Sequence, residues 1–459
     1  MQRFRIWLAV GGLAALAGVP ASLAAQGYSV NEHGSCAMGR AGTAVASPCQ
    51  DGSAMFFNPA GLGQIPRGRT TISAGATLIA PRGNFTSDLG EKTDLKENVI
   101  PIPAIFLTHG ISNRVAAGIG LFAPYGLITE WPKNSEAGFL GYRSQIRAIY
   151  IQPTLAAKFA DGRVLVGAGF DLNLVHVNLR QRVDLASTPL PPPAPPGLTF
   201  ANLGIPNGTA FADANLSGNG TGVGYHVGLI VKPVDRISLG VRYLSRQKVN
   251  IDNGSVDFSP VNTGITLAAG NPFGVPAGTA LDAVLAPQFQ PGSTLADQDA
   301  KTGLRMPEQV TVGVAVKALT QLTLLADVQF MNWTVFDTLL IDFESAPTTI
   351  LPQNFEKTTA WRFGAEYQIS DRTTIRGGYL FHSAAEPRGS VTPNLPEGRR
   401  SEFTVGFGTR LGSKLGLDLA FQYIDQGDRR GRTVEFGQAD NGLFEFRAPL
   451  FGATLTYDF

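Results

Sequence analysis

The sequence predicts an all-β protein: a 14-stranded antiparallel transmembrane β-barrel with an N-terminal hatch plugging its lumen. Three observations predict it. Side chains alternate with period two over long stretches, short and long connections alternate along the chain, and the first residues have the layout of an export signal. Composition agrees. Charged residues make up 16% of the 459 residues, well below the roughly 25% of soluble domains. Lys and Arg total 37 against 36 Asp and Glu, which leaves no excess of charge for a polyanion and excludes nucleic acid as a natural partner. Mean hydropathy is only +0.05, too low for a helical membrane protein.

In chain order, Arg3 and Arg5 precede an apolar stretch from Ile6 to Val19, and Ser22, Leu23 and Ala24 offer a small-x-small cleavage site. Residues 1–25 therefore read as a signal peptide. The apolar run falls short of the about 20 residues of a membrane-spanning helix, so export leaves the periplasm, the outer membrane or the medium. Residues 26–66 do not alternate and read as the hatch. They are crowded with small side chains from Gly39 to Ala46 and end in Met55-Phe56-Phe57-Asn58-Pro59-Ala60-Gly61-Leu62. Small residues suit close packing in a narrow lumen. The inward glycines Gly118, Gly120, Gly364, Gly406, Gly408 and Gly416 would make room for such a plug. Cys36 and Cys49 are an even, low count in an exported chain, which favours one disulfide over two unpaired buried thiols.

Residues 67–459 read as the barrel. In the last segment Phe451, Ala453, Leu455, Tyr457 and Phe459 share one face, opposite Gly452, Thr454, Thr456 and Asp458, the two-sided pattern of a strand. A soluble sandwich alternates too, but these strands run past the usual five or six residues, and several apolar faces end in an aromatic, as an interfacial girdle requires. Short turns at 110–113, 160–163, 233–236, 318–321, 370–372 and 412–414 alternate with long loops at 83–98, 127–142, 186–219, 259–298, 344–353, 384–398 and 428–442. Those connections join fourteen strands, an even number, with tight periplasmic turns and long extracellular loops. One strand breaks phase. Val166 to Leu174 carry the apolar side on even positions, then Val175, Val177 and Leu179 carry it on odd ones. Either a β-bulge lies near 174–175 or the strand leaves the membrane there. Residues 189–196 are proline-dense, hence stiff and extended.

The stretches 28–32, 39–41 and 51–62, together with Gly120-Leu121-Phe122-Ala123-Pro124-Tyr125-Gly126-Leu127 and Leu395-Pro396-Glu397-Gly398-Arg399-Arg400, resemble the FadL/TodX family of outer-membrane transporters of long-chain fatty acids and aromatic hydrocarbons. The resemblance spans essentially the whole mature chain, and Asn58, Pro59 and Ala60 match the hatch motif. It implies a monomer in the outer membrane of a Gram-negative-type bacterium. Its partners would be a hydrophobic small-molecule substrate, outer-membrane lipids and lipopolysaccharide, and the barrel assembly machinery, with no cofactor. It further implies apolar sites inside the barrel and sideways exit through a kink in strand three. Ala123, Pro124 and Gly126 are the candidates for that kink, because proline lacks the N–H a ladder needs. A strand end at the rim is the other reading of Pro124, with the kink nearer 116–120. Ligand contacts would fall to Tyr28 and Val30 at the hatch start and to Leu127, Ile128, Trp131, Phe139 and Leu140. Arg143, Arg147 and Arg180 are the candidates to hold a carboxylate. The Cys36–Cys49 pair is a departure from the family pattern.

Two other classes stand beside this reading: an outer-membrane lipid-acting enzyme and a general porin. The sequence has no H-E-x-x-H and no G-x-S-x-G, and its five histidines lack metal-ligand spacing. No catalytic and no metal-binding residue is assigned.

Overall fold

In the computed structural model, which describes residues 27–190, 197–431 and 441–459, fourteen antiparallel strands close into a barrel. The expected signal peptide lies outside the described residues. The strands are β1 (Thr70–Ile79), β2 (Ile100–Gly110), β3 (Val115–Glu130), β4 (Arg143–Phe159), β5 (Val164–Asp184), β6 (Ala210–Val234) and β7 (Ile237–Leu244, resuming as Gln247–Pro260). They continue as β8 (Gln298–Met306 and Gln309–Lys317), β9 (Leu322–Asn332 and Thr338–Phe343), β10 (Thr349–Pro352 and Lys357–Gln368), β11 (Thr373–His382), β12 (Arg400–Leu411), β13 (Leu415–Gly431) and β14 (Gly442–Asp458). The last strand pairs with the first, from Thr71 opposite Asp458 to Ile79 opposite Leu450. No sheet edge is left for a lipid environment that cannot hydrogen-bond it. The apolar faces read from the sequence point outward: Phe451 is 55% and Leu455 52% exposed, as side chains that meet acyl chains must be.

Three sequence expectations are corrected. The strands outrun the predicted loops: β3 continues to Glu130 and β6 already begins at Ala210. The loop predicted at 344–353 is partly strand, with β10 starting at Thr349. No bulge lies at Leu174–Val175, where β5 keeps one register with β6, Leu174 opposite Thr221 and Val175 opposite Gly220. The strand stays in phase and the two environments exchange instead. Below that point the outside is lipid and the inside polar. Above it His176 faces outward and Val177 and Leu179 line an apolar cavity.

Residues 27–66 fill the lumen as two single-turn helices, α1 (Ser35–Met38) and α2 (Ala54–Phe57), and a 3-10 turn, Pro59–Gln64. Such short pieces cannot hold themselves. The wall fixes them by reaching for their backbone: Asp327 Oδ2 accepts from the N–H groups of Ala44 and Val45 at 3.0 and 3.2 Å, and Thr404 Oγ1 from Ala41 at 3.0 Å. Close approach depends on missing side chains. A Cβ on Gly406 would lie 2.8 Å from Gly39 Cα, so neither position tolerates one. Gly118 and Gly364 also face the hatch, whereas Gly120, Gly408 and Gly416 are flanked by barrel side chains. Gly167, Gly228 and Gly240 were missed as hatch contacts.

Candidate ligand cavity and the break in the barrel wall

β3 follows β2 only from Ala116 opposite Gly110 to Leu121 opposite Ile105. Above Leu121 it is paired with β4 alone, and an extra residue sits in it between Phe122 and Tyr125. This is the segment that contains Ala123 and Pro124. Proline has no N–H to offer a ladder, and the carbonyl of Pro124 turns to the hatch, accepting from Val30 N at 2.8 Å. Gly126 N donates to Tyr28 O at 2.9 Å, and Ser29 bridges Tyr125 as an antiparallel partner. Residues 28–30 therefore stand where β2 would have continued, supplying the bonds that a buried strand edge requires.

Behind this substitute strand lies a cavity of about 350 Å3. Tyr28 lines it from the hatch, Leu127 from β3, Phe139 and Leu140 from the single-turn helix α3 (Gly138–Gly141), and Ile146 and Val177 from β4 and β5. Breaks in the far wall bring in the rest. β9 interrupts between Asn332 and Thr338, which swings Phe336 inward beside Leu304 and Leu339. Tyr28 meets Trp333 at 4.7 Å and Phe336 at 5.5 Å between ring centroids, both edge-to-face, an arrangement worth about 0.5–1.5 kcal/mol per pair beyond burial. The polar lining is neutral: Ser144, Gln145, Asn178, Thr392 and Asn394 are among it, and no Lys, Arg, Asp or Glu of the described residues is.

Below the cavity the kink is tied to the hatch by a buried chain of hydrogen bonds. Tyr125 Oη donates to Pro307 O at 2.9 Å and accepts from Gln309 Nε2 at 2.8 Å. Gln309 Oε1 accepts from Arg242 Nη1 at 2.9 Å and from Gln329 Nε2 at 3.0 Å. Arg242 lies over the Phe56 ring at 4.4 Å, a cation–π contact strengthened by desolvation. His33 packs between Phe56 and Phe122, its Nε2 3.1 Å from Val30 O. Burial, aided by the Arg242 charge, pushes its pKa down to about 3, against the pull of that carbonyl. At the hatch start Glu397 accepts from Gly27 N at 2.7 Å and from Ala385 N at 2.8 Å. Burial raises its pKa, while Arg400 and these N–H groups draw it down.

The expected ligand residues divide. Tyr28, Leu127, Phe139 and Leu140 come together on the cavity; Val30 and Ile128 do not line it. Trp131 is elsewhere, donating from Nε1 to Pro393 O at 2.9 Å among Phe85, Val391 and Phe444. None of the three arginines reaches the cavity. Arg143 pairs with Glu130 at 3.2 Å, Arg180 bonds Asn215 Oδ1 at 3.1 Å, and Arg147 is exposed beside His176. Arg143 and Arg147 share a face of β4 with the outward Ile149, and Arg180 a face of β5 with the outward His176; from those two faces it is the amides Gln145 and Asn178 that reach the cavity, with Arg143 bonded to Gln145 Oε1 at 3.4 Å. Phe336 and Leu304 were missed; the turn-like Asn332-Trp333 was the available signal. Cys36 and Cys49 are bonded to each other. Asn58 donates to Val45 O at 2.8 Å and Leu229 O at 3.1 Å, and caps the 3-10 turn by accepting from Ala60 N at 3.1 Å.

Known proteins of this architecture are numerous. Over 96% of either chain the sequence is 25% identical to a putative outer membrane protein of Neisseria meningitidis. It is 23% identical to a long-chain fatty acid transport protein of Escherichia coli over 94% of each. Among solved structures, a Pseudomonas aeruginosa FadL homologue superposes with a TM-score of 0.76 at 20% identity, covering 95% of this chain and 100% of that one. The toluene transporter TodX of Pseudomonas putida superposes at 0.65 and 17%, covering 95% and 98%. The family model for the outer membrane protein transport protein (OMPP1/FadL/TodX) matches residues 16–459. A closed fourteen-stranded wall, a lumen occupied by residues 27–66, and a match across the described chain lead to one statement: this protein belongs to the OMPP1/FadL/TodX family of outer-membrane transport proteins.

Proposed function

We propose that the protein carries uncharged hydrophobic molecules across the outer membrane. They enter the 350 Å3 cavity from the extracellular side and leave sideways between β2 and β3. The observation that carries the substrate class is the neutral lining of the cavity. A carboxylate placed among Leu127, Phe139, Val177 and Phe336 would lose its hydration without gaining a cation, at a cost of several kcal/mol. A hydrocarbon, or one ending in a hydroxyl or carbonyl that the amides of Gln145, Asn178 and Asn394 can serve, loses nothing comparable. The exit follows from the wall. Only two backbone hydrogen bonds hold residues 28–30 to β3, and Tyr28 is at once the lining of the cavity and part of that seal. A ligand that displaces Tyr28 also removes what stands in for β2. A polar pore is the poorer fit, because the hatch occupies the lumen.

The test is equilibrium binding to purified protein of ligands matched in length: a long-chain alcohol and the corresponding carboxylate at pH 7.5. The alcohol should bind at least about tenfold tighter, following the desolvation cost of the charge. Equal affinity, or tighter binding of the carboxylate, would overturn the assignment.

A further inference from the structure

The periplasmic end carries a feature that transport of a neutral solute does not use. Each of the six hairpin turns there has an exposed base in it or beside it: Arg114, Arg163, Arg236, Lys317, Arg372 and Lys414. Within two to four residues of each, a large apolar side chain is exposed: Ile111, Phe159, Val234, Leu319, Ile369 and Leu411, all between 50% and 60%. The pairing repeats around the ring although the turns share no sequence. Lys414 Nζ also lies 5.9 Å from the ring centroid of Tyr457, itself beside the exposed Phe459.

Toward the extracellular end some cations are matched to acids, as in Lys96–Glu130 at 2.8 Å, Lys133–Asp213 at 2.5 Å and Arg430–Asp88 at 2.5 Å, while Arg246, Lys248 and Arg447 form no ion pair among the described residues. At the turns only Arg163 has such a partner, Asp235 at 3.5 Å; the other five bases form no ion pair among the described residues. Five bases without an ion pair thus stand around the turn rim.

We infer that this rim is a binding belt for anionic phospholipid headgroups of the periplasmic leaflet. The apolar side chains fix the depth. Phe159, Val234 and Leu411 end their strands on the outer surface, where a membrane barrel meets acyl chains, so Arg163, Arg236 and Lys414 in the turns beyond them lie at the level of the phosphates, with their methylene stems along the apolar zone. Lipid also fits the shape, because it surrounds the barrel and can meet all six turns. An acidic protein docking from the periplasm would reach one arc and would leave the exposed apolar partners without purpose. The bases act additively through surface potential and charge-assisted hydrogen bonds to phosphate.

The experiment counts phosphatidylglycerol and phosphatidylcholine of identical acyl chains retained by the purified full-length protein, using native mass spectrometry. Wild type should prefer phosphatidylglycerol by about tenfold. Combining Arg114→Gln, Arg236→Gln, Lys317→Gln, Arg372→Gln and Lys414→Gln should bring the preference below about twofold, with the heat-modifiable gel mobility of a closed barrel retained. Exchanging Arg for Lys and Lys for Arg at the same positions should keep it. If the glutamine variant does not assemble, salt decides: the wild-type preference should disappear in high salt. Equal retention of the two lipids by wild type, a preference unchanged in the folded glutamine variant, or one insensitive to salt would each overturn the inference. The first of these would leave the rim to water or to an acidic protein.

Discussion

Two residues in the hatch show how single side chains hold a plug made of fragments. Asn58 serves carbonyls of the hatch and of β6 at once, besides capping the turn that follows. Asn58→Ala should leave buried carbonyls without donors and destabilise the hatch by about 1–3 kcal/mol. Hydrogen exchange across 44–64 should speed up while the barrel strands stay protected; unchanged exchange would remove Asn58 from this role. His33 makes the hatch sensitive to pH. Its folded pKa of about 3 lies below the about 6.5 of an unfolded histidine. Only the released form takes up a proton between those values, so this contribution is complete above about 6.5 and is lost progressively on acidification. Proteolysis of the hatch should be faster at pH 5 than at pH 7.5 in wild type, and His33→Phe should flatten that difference. A pH dependence that survives the substitution would assign it to other groups.

At the scale of elements, β3 makes the sharpest prediction. One residue too many lies between Phe122 and Tyr125. Deleting Pro124 would restore continuous alternation, keep Tyr125 pointing inward and let the ladder run on. Uptake of the neutral ligand should fall to background with the barrel intact; undiminished uptake would place the exit elsewhere. The disulfide closes the loop from Cys36 to Cys49, a constraint of roughly 3 kcal/mol for a loop of this size. Cys36→Ser should loosen 36–49 to proteases without altering the barrel's gel mobility, and identical cleavage patterns would contradict it. The strands were legible because period two is written in every one of them, down to Phe451–Phe459. The cavity was less so. Val177 and Leu179 signalled it, but an exchange of environments across a strand in phase looks the same, in one dimension, as a slip of register. Phe336 and Leu304 were hidden because their strands break, and breaks are set by pairing with strands distant in sequence. The arginines lie off the cavity because Arg143 and Arg147 share the outward face of Ile149 on β4, and Arg180 that of His176 on β5.

For the whole molecule the balance is between a closed wall and a filled interior. The hatch blocks the lumen, and its wall contacts rest on paired small residues such as Gly39 and Gly406. In planar bilayers the protein should therefore show no steady conductance of porin size. Sustained large currents would mean that residues 27–66 do not stay seated. Closure has a further consequence, in time rather than in space. The strand that completes the wall is the last one made, and it meets the first: Phe459 N donates to Thr70 O at 3.0 Å. The hatch precedes Thr70 in the chain and lies inside the finished ring, with the Cys36–Cys49 bond formed within it. Once that seam is closed, the hatch can no longer enter sideways through the wall, so the pairing of β14 with β1 separates two orders of assembly: a hatch seated before closure, or one drawn in afterwards through the turn-end mouth.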